Sequence, residues 1–458
     1  MQHEKSKAAA LRGLSQHLSD WLETRSPPVV ATIAFLVIAM AYSLWWSVVA
    51  HGGHLQLSSP GDLWSITSSS SSLLHGEFGR MYERHIALTS PPGYEFVLAP
   101  AVGLGQLLGL APHLKVSGEP LSLWFVIGPV AILTSSVVLF AVDAVARFWG
   151  IPERWRLALA LVGGVGVASV VQEWGHPEDC VALALVIWSA LALERGRVGD
   201  GGVGNEGAVG GLAAAGWLLG LAVAFQPLAL LAVTPIFARV GWRSVPGLTV
   251  RLVLPSLLVL IAPLSASASH TIWVLTKQPV FPDKVSSTPW SHFAPSIGHG
   301  EVAGGPTRLL STALGAVVGF VVCRRRHDLA TVLTLTAVAL ALRVLFESEL
   351  CGYYFWPVAA LCLLLSLRRG QARFVVCAVA SAVIVVVGNH RVHTVGWWWV
   401  TMMIATAVLM LTAIGREVDG GGGTDGGGGP SQRGRSVREM DGLEIEVDSV
   451  GARGGGPA

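Results

Sequence analysis

Asp62 has the clearest chemical potential in the chain. It is a lone carboxylate, followed by Leu63 and Trp64, near the start of a serine-rich polar stretch running from Ser59-Pro60-Gly61 to Ser90-Pro91-Pro92-Gly93-Tyr94. Aspartate is a preferred N-cap, and Leu63-Trp64-Ser65-Ile66 can open a helix behind it. A carboxylate at a helix N-terminus is also held ionised and available as a general base, so the two roles are compatible. His176-Pro177-Glu178-Asp179 brings three ionisable groups together in sequence. This segment reads either as a solvated turn with Pro177 at the first helical position, or as a polar patch that binds hydroxyl groups. Arg343 lies near the end of an apolar run, where a cation is costly and faces either a partner or a cavity. Glu347, one helical turn on, is the structural partner; the other reading gives Arg343 an anionic ligand such as a lipid phosphate. Tyr353, Tyr354, Trp356 and Trp397-Trp398-Trp399 read as interfacial belt residues or as ligand contacts.

The elements that carry these groups are membrane helices. Of 458 residues, 52% are hydrophobic and only 13% charged, with a mean hydropathy of +0.58, more apolar surface than a soluble domain can hide. A net charge of +2 with no clustered basic face excludes a nucleic-acid binder. The five cysteines form no Cys-x-x-Cys pair, so neither a zinc site nor a redox motif is readable, and no metal is expected.

Arginine placement orders the spans. Residues 1–28 are polar and basic and precede a first apolar run from Val29 to Ala50, which reads as a cytoplasmic segment followed by a retained helix. The polar stretch then lies outside. Gly93 to Leu114 is apolar but broken by Pro100, Pro112 and glycines; counted as a span it would put Arg147, Arg154 and Arg156 outside, so it reads as a helix dipping into the outer leaflet. Further spans are expected at Leu121–Val145, Leu157–Trp174, Cys180–Leu193, a short pair between Val209 and Arg239 split at Gln226-Pro227, Leu252–Ala266, Leu309–Val322, Leu329–Phe346, Tyr353–Leu365, Phe374–Gly388 and Val395–Ile414. The result is an all-α polytopic membrane protein with about 12 transmembrane helices and both termini cytoplasmic. External loops are expected at 51–120 and 267–306, and 415–458, rich in glycine and charge, reads as a disordered cytoplasmic tail. Carboxylates, histidines and tyrosines gather on the external side, which points to a polar cleft at the outer face.

This layout resembles the GT-C membrane glycosyltransferases. Asp62-Leu63 follows the first span, Gly76 and Tyr82 come next, Pro91-Pro92-Gly93-Tyr94 opens an apolar helix, and Gly220 to Pro227 forms a later hairpin. The nearest resemblance is to glycosyltransferase family 87, the actinobacterial polyprenol-phosphate-mannose-dependent mannosyltransferases. It implies a GT-C-like bundle over residues 29–414 with amphipathic or re-entrant helices in the first external loop. It also implies Asp62 as general base, a polyprenyl-phosphate sugar as donor, and a glycolipid or glycan acceptor. The reaction is expected at the outer face of the plasma membrane, with neither nucleotide sugar nor metal. The substrate-binding groups expected on this reading are Tyr82, Arg84, His85, Tyr94, His176, Glu178, Asp179, Gln226, Arg343, Glu347, Tyr353 and Tyr354. The chain departs from the family pattern at Ile66, Ser90 and Gln226, where tyrosine, tyrosine and lysine are usual. A single external base, without a neighbouring carboxylate partner, implies direct displacement with inversion. The rival readings are a flippase or transporter, which predicts ionisable groups near the bilayer midplane and inverted repeats, and an inactive relative serving as a scaffold.

Overall fold

Long apolar runs fold as helices in a bilayer because every backbone amide must be bonded within its own segment. The computed structural model describes residues 25–50, 61–83, 88, 90–110, 124–199, 206–280, 288–323, 328–389 and 395–414. All fall in the first of two units, 1–417 and 418–458. Arg84, His85, Arg324 to Arg326, His390, His393 and the expected tail lie outside the described residues.

The helices are α1 (Ser26–Ala50), α2 (Gly61–Leu74), α3 (Gly93–Leu107), α4 (Trp124–Ser135), α5 (Val137–Phe148), α6 (Glu153–Ala168), α7 (Pro177–Gly199) and α8 (Glu206–Phe225). They continue with α9 (Val233–Phe237), α10 (Val245–Lys277), α11 (Gly305–Cys323), α12 (Leu329–Phe346), α13 (Trp356–Arg369), α14 (Gln371–Asn389) and α15 (Val395–Ile414). Among the described residues, eight helical segments are long and apolar enough to cross a membrane, from Ser26–Trp45 to Trp397–Ile414. The protein is a multi-pass membrane protein. Its outer helices show apolar side chains to the surroundings, as Ile33, Val37 and Ile38 do on α1 and Leu257, Leu258 and Ile261 on α10.

The other four expected spans are α7, the pair Val209–Phe225 and Pro227–Phe237, and α13, all shorter or more charged. Two of them are inner helices. Every residue of α13 from Trp356 to Leu367 is buried, and α7 buries most of its length against α5 and α8. Surrounded by protein, such helices are released from the length and composition that lipid imposes.

Two expectations for the loops change. The expected span Leu252–Ala266 stops where the backbone kinks at Ser267 (φ −156°, ψ 72°), but α10 continues to Lys277 instead of opening into a loop. At 1.5 Å per residue, its 33 residues reach about 50 Å, well beyond a hydrocarbon core of about 30 Å. The chain after it is also not purely helical. β1 (Pro279–Val280), β2 (Ser296–Gly298) and β3 (Glu301–Ala303) form an antiparallel sheet in the order β1-β3-β2.

The first polar stretch folds as two short helices, α2 and α3, of 14 and 15 residues. Each is about 21–23 Å long, too short to span. They pack on each other, and α3 also packs on α4. The face of α2 carrying Thr67, Ser68, Ser69 and Ser70 is buried; Thr67 and Ser70 satisfy their hydroxyls on the carbonyls of Leu63 and Ile66, four residues back.

Candidate functional site

Asp62 lies inside the first turn of α2, where the helix dipole favours a negative charge. Buried Leu63 and Ile66 clamp that turn to the bundle, while the Asp62 side chain stays 56% exposed.

His176 is delivered to Asp62 by a change of helical winding. After α6 the chain widens to π-helical geometry over Ser169–Trp174 and turns at Gly175, whose φ of 77° is a left-handed conformation that glycine adopts freely. Pro177 then opens α7. His176 Nε2 lies 2.9 Å from Asp62 Oδ2, and Nδ1 lies 2.8 Å from Glu178 Oε1. Its ring stacks on Tyr353 at 3.9 Å between centroids and 19° between planes. Burial disfavours the charged imidazolium, but Glu178 and Asp62 outweigh that and lift the His176 pKa well above its ordinary value. Glu178 and Asp179 are 4% and 2% exposed, so the solvated-turn reading of this segment does not hold. A histidine satisfied on both sides keeps one carboxylate paired indoors, and Asp179 accepts from Gln226 Nε2 at 2.6 Å.

A cationic pair completes the site. Gly305 begins α11 so close to the end of α10 that a Cβ would run into the Thr276 carbonyl oxygen. That contact sets Arg308 one turn into the helix. Arg308 pairs with Glu347, donates to Gln278 Oε1 at 2.5 Å and reaches the Tyr354 hydroxyl at 3.5 Å. Arg343 Nε lies 3.5 Å from Glu347 Oε2, with its guanidinium 4.8 Å above the Tyr354 ring. Glu347 therefore serves two arginines, and its backbone carbonyl accepts from Thr288 Oγ1 at 2.5 Å.

One cavity of about 1090 Å³ joins these groups. Its lining includes Asp62, His176, Glu178, Asp179 and Gln226 toward one side of the chemistry, and Arg308, Arg343, Tyr353 and Tyr354 toward the other. Trp273, Leu230 and Leu309 add apolar wall, of which Leu230 and Leu309 are also exposed to the surroundings. Among the described residues, no set of three or more carboxylate, histidine or cysteine side chains is arranged to hold a metal ion.

The remaining expected site residues divide. Tyr82 borders the cavity, but its hydroxyl donates to the Ser90 carbonyl at 3.0 Å; burial and the neighbouring Glu95 raise its pKa well above normal. Glu347 sits beneath the lining and anchors it. Tyr94 is not brought to the cavity. It is 1% exposed, shares a 2.7 Å hydrogen bond with Thr134, and packs edge-on against Phe225. Its neighbour Gly93 touches the end of α8 so closely that a Cβ would meet the Ala224 carbonyl oxygen, which makes the Pro-Pro-Gly-Tyr segment a packing device.

Sequence reading passed over Arg308 and Gln278. A signal was present: a cation in the first turn of an apolar helix opposes the helix dipole and demands an anion nearby. That anion, Glu347, lies 39 residues away, so only the fold reveals the pairing. The chain matches no protein-family model and no curated protein sequence.

Proposed function

We propose that the protein is a membrane glycosyltransferase that moves a sugar, mannose on the family resemblance, from a polyprenyl phosphate to a hydroxyl of a glycolipid or glycan. One observation carries this reading. A half-exposed carboxylate backed by a histidine and two arginines sharing one glutamate line the same cavity. Transfer from a lipid phosphate asks for both ends of that arrangement. Asp62 takes the proton of the acceptor hydroxyl as it attacks the sugar carbon, and the cations receive the charge that develops on the departing phosphate. Glu178, the other carboxylate of the chain through His176, is buried, which leaves the half-exposed Asp62 as the member of that chain to act as base, by direct displacement with inversion.

The family's hairpin lysine is Gln226 here, tied to Asp179; Arg308 supplies positive charge to the same cavity. Exposed Leu230 and Leu309 on the cavity wall suit a donor whose tail stays in lipid. We read the bundle as twelve crossings in the plasma membrane with the cavity outward. Arg147, Arg195, Arg239 and Arg368 all lie near the opposite helix ends, which the positive-inside bias places in the cytoplasm. Gathering of ionisable groups at one end, away from mid-bundle, favours an enzyme over a transporter.

The test is transfer from radiolabelled polyprenyl-phosphate sugars in isolated membranes, comparing wild type with Asp62→Asn. Loss of roughly a hundredfold or more with unchanged thermal stability is expected for removal of a positioned base. Full activity of the variant would remove Asp62 from the mechanism.

A further inference from the structure

His176, Glu178 and Asp179 were expected to contact substrate directly. The geometry assigns His176 a different task. Its two ring nitrogens are both occupied, by Asp62 Oδ2 at 2.9 Å on α2 and by Glu178 Oε1 at 2.8 Å on α7. One face of the ring is covered by Tyr353. A ring so enclosed has neither nitrogen left for an acceptor hydroxyl.

We propose that His176 is a positioning residue: protonated on both nitrogens, it bridges the Asp62 and Glu178 carboxylates and holds Asp62 toward the cavity. The inference rests on the transferase reading for its purpose, while the bridge itself stands on geometry. With both carboxylates ionised each can only accept, and the ring then donates twice, which only the imidazolium does. The charged form also answers an energetic need. Two carboxylates facing one neutral ring would leave one of them opposite a lone pair. The charged groups around the ring are Asp62 from α2, Glu178 and Asp179 from α7, and Arg343 and Arg308 further off from α12 and α11, whose positive charge acts on Asp179. The phenol ring of Tyr353 lies against the ring face. Carboxylates adjacent to the ring outweigh its burial, in agreement with the upward shift of its pKa.

During transfer the acceptor O–H bond breaks and its proton goes to Asp62, while the oxygen electron pair forms the bond to the sugar carbon and the phosphate leaves with its bonding pair. His176 neither gains nor loses a proton in that step. It keeps Asp62 ionised and aimed until the proton arrives. Glu178 acts one residue further back by keeping the ring charged.

Two measurements decide the proposal. The first is titration of the His176 ring by NMR in histidine-labelled protein in nanodiscs, its signal assigned by loss in His176→Gln. The wild-type ring should remain doubly protonated well above the ordinary value of about 6.5, and Glu178→Gln should lower that titration. A ring that titrates near the ordinary value, or is indifferent to Glu178→Gln, overturns the bridge whatever the activity.

The second is the pH profile of sugar transfer. Glu178→Gln should move the alkaline limb to lower pH, with kcat falling and donor KM unchanged. His176→Ala should cost about tenfold or more, the scale of a lost hydrogen bond to a charged group. His176→Gln, which still offers an N–H toward Asp62 without a titrating proton, should recover part of that loss and show no such limb. An unmoved limb in Glu178→Gln overturns the positioning role. A shifted ring titration in a protein that transfers no sugar from any polyprenyl phosphate would sink the transferase reading and leave the bridge intact. The sign for stability is also set: with a folded pKa raised above the unfolded one, the bridge stabilises fully below about pH 6.5 and fades as pH rises through the folded value. The thermal midpoint of wild type should fall over that window, and that of His176→Gln should not.

Discussion

The two ends of the helix bundle use the same charged residues to opposite effect. At the end away from the cavity, charges close on each other. Arg156 grips Asp143 with two bonds of 2.7 and 2.9 Å, both side chains buried, and Arg239 pairs with Glu194. Asp328 caps α12 and meets Arg368 at 3.7 Å, while Arg368 lies 4.8 Å over Trp149. At the cavity end the accounts are left open: one histidine stands between two carboxylates, and two arginines share one glutamate. Sharing by itself does not separate the ends, since Glu194 is also met by Arg197 at 3.9 Å. The difference is the space beside the charges: Asp62, His176, Arg308 and Arg343 line a cavity, which a site for a polar substrate needs, and the pairs of the closed end do not.

The comparison can be broken most forcefully at the closed end. Arg156→Ala abandons a buried carboxylate and should cost about 3–5 kcal/mol in unfolding experiments, with sugar transfer per folded molecule unchanged. A specific loss of transfer would show that the closed end also serves the site. Next in size is Glu347→Gln, which withdraws the anion from both Arg308 and Arg343. Donor affinity should fall about tenfold or more, more than in Arg343→Ala. A charge swap between Arg343 and Glu347 should fail to restore it, because Arg308 loses its anion in the swap; full recovery would reduce the triad to a simple pair. The smallest effect belongs to Asp328→Ala, where loss of an N-cap should cost about 1 kcal/mol and leave transfer untouched. Asp328 caps through Thr331, its carboxyl accepting the Thr331 N–H at 3.3 Å. Asp328→Asn should therefore recover most of the loss, and equal damage from Asn and Ala would argue that the Arg368 contact matters more than the cap.

Much of the fold was legible because lipid imposes a strong rule on composition. Leu329–Phe346, apolar but for Arg343, and Val395–Ile414 were read residue for residue as they fold, since each is a long apolar run ended by charge or glycine. The break at Gln226-Pro227 was equally plain, proline being unable to continue the helix ladder. The inner helices α7 and α13 were also read as helices, at Cys180–Leu193 and Tyr353–Leu365. Local rules failed at α10, whose last part stays helical beyond the kink at Ser267 as a wall of the cavity, where a loop was expected.

By itself the sequence determined that the chain is a helical membrane protein, that its arginines gather at alternate helix ends, and that Asp62 opens a polar stretch after the first apolar run. These follow from composition and spacing, properties that each segment carries alone. Only the tertiary structure decided which groups meet. It set His176 between Asp62, 114 residues before it, and Glu178, two residues after, and it brought Arg308 to Glu347 across 39 residues. It also took Tyr94 out of the site and made it a packing residue. A charge declares its type in the sequence, but its partner is selected by which helix ends the close contacts at Gly93 and Gly305 allow to converge, and such contacts exist only once the helices are packed.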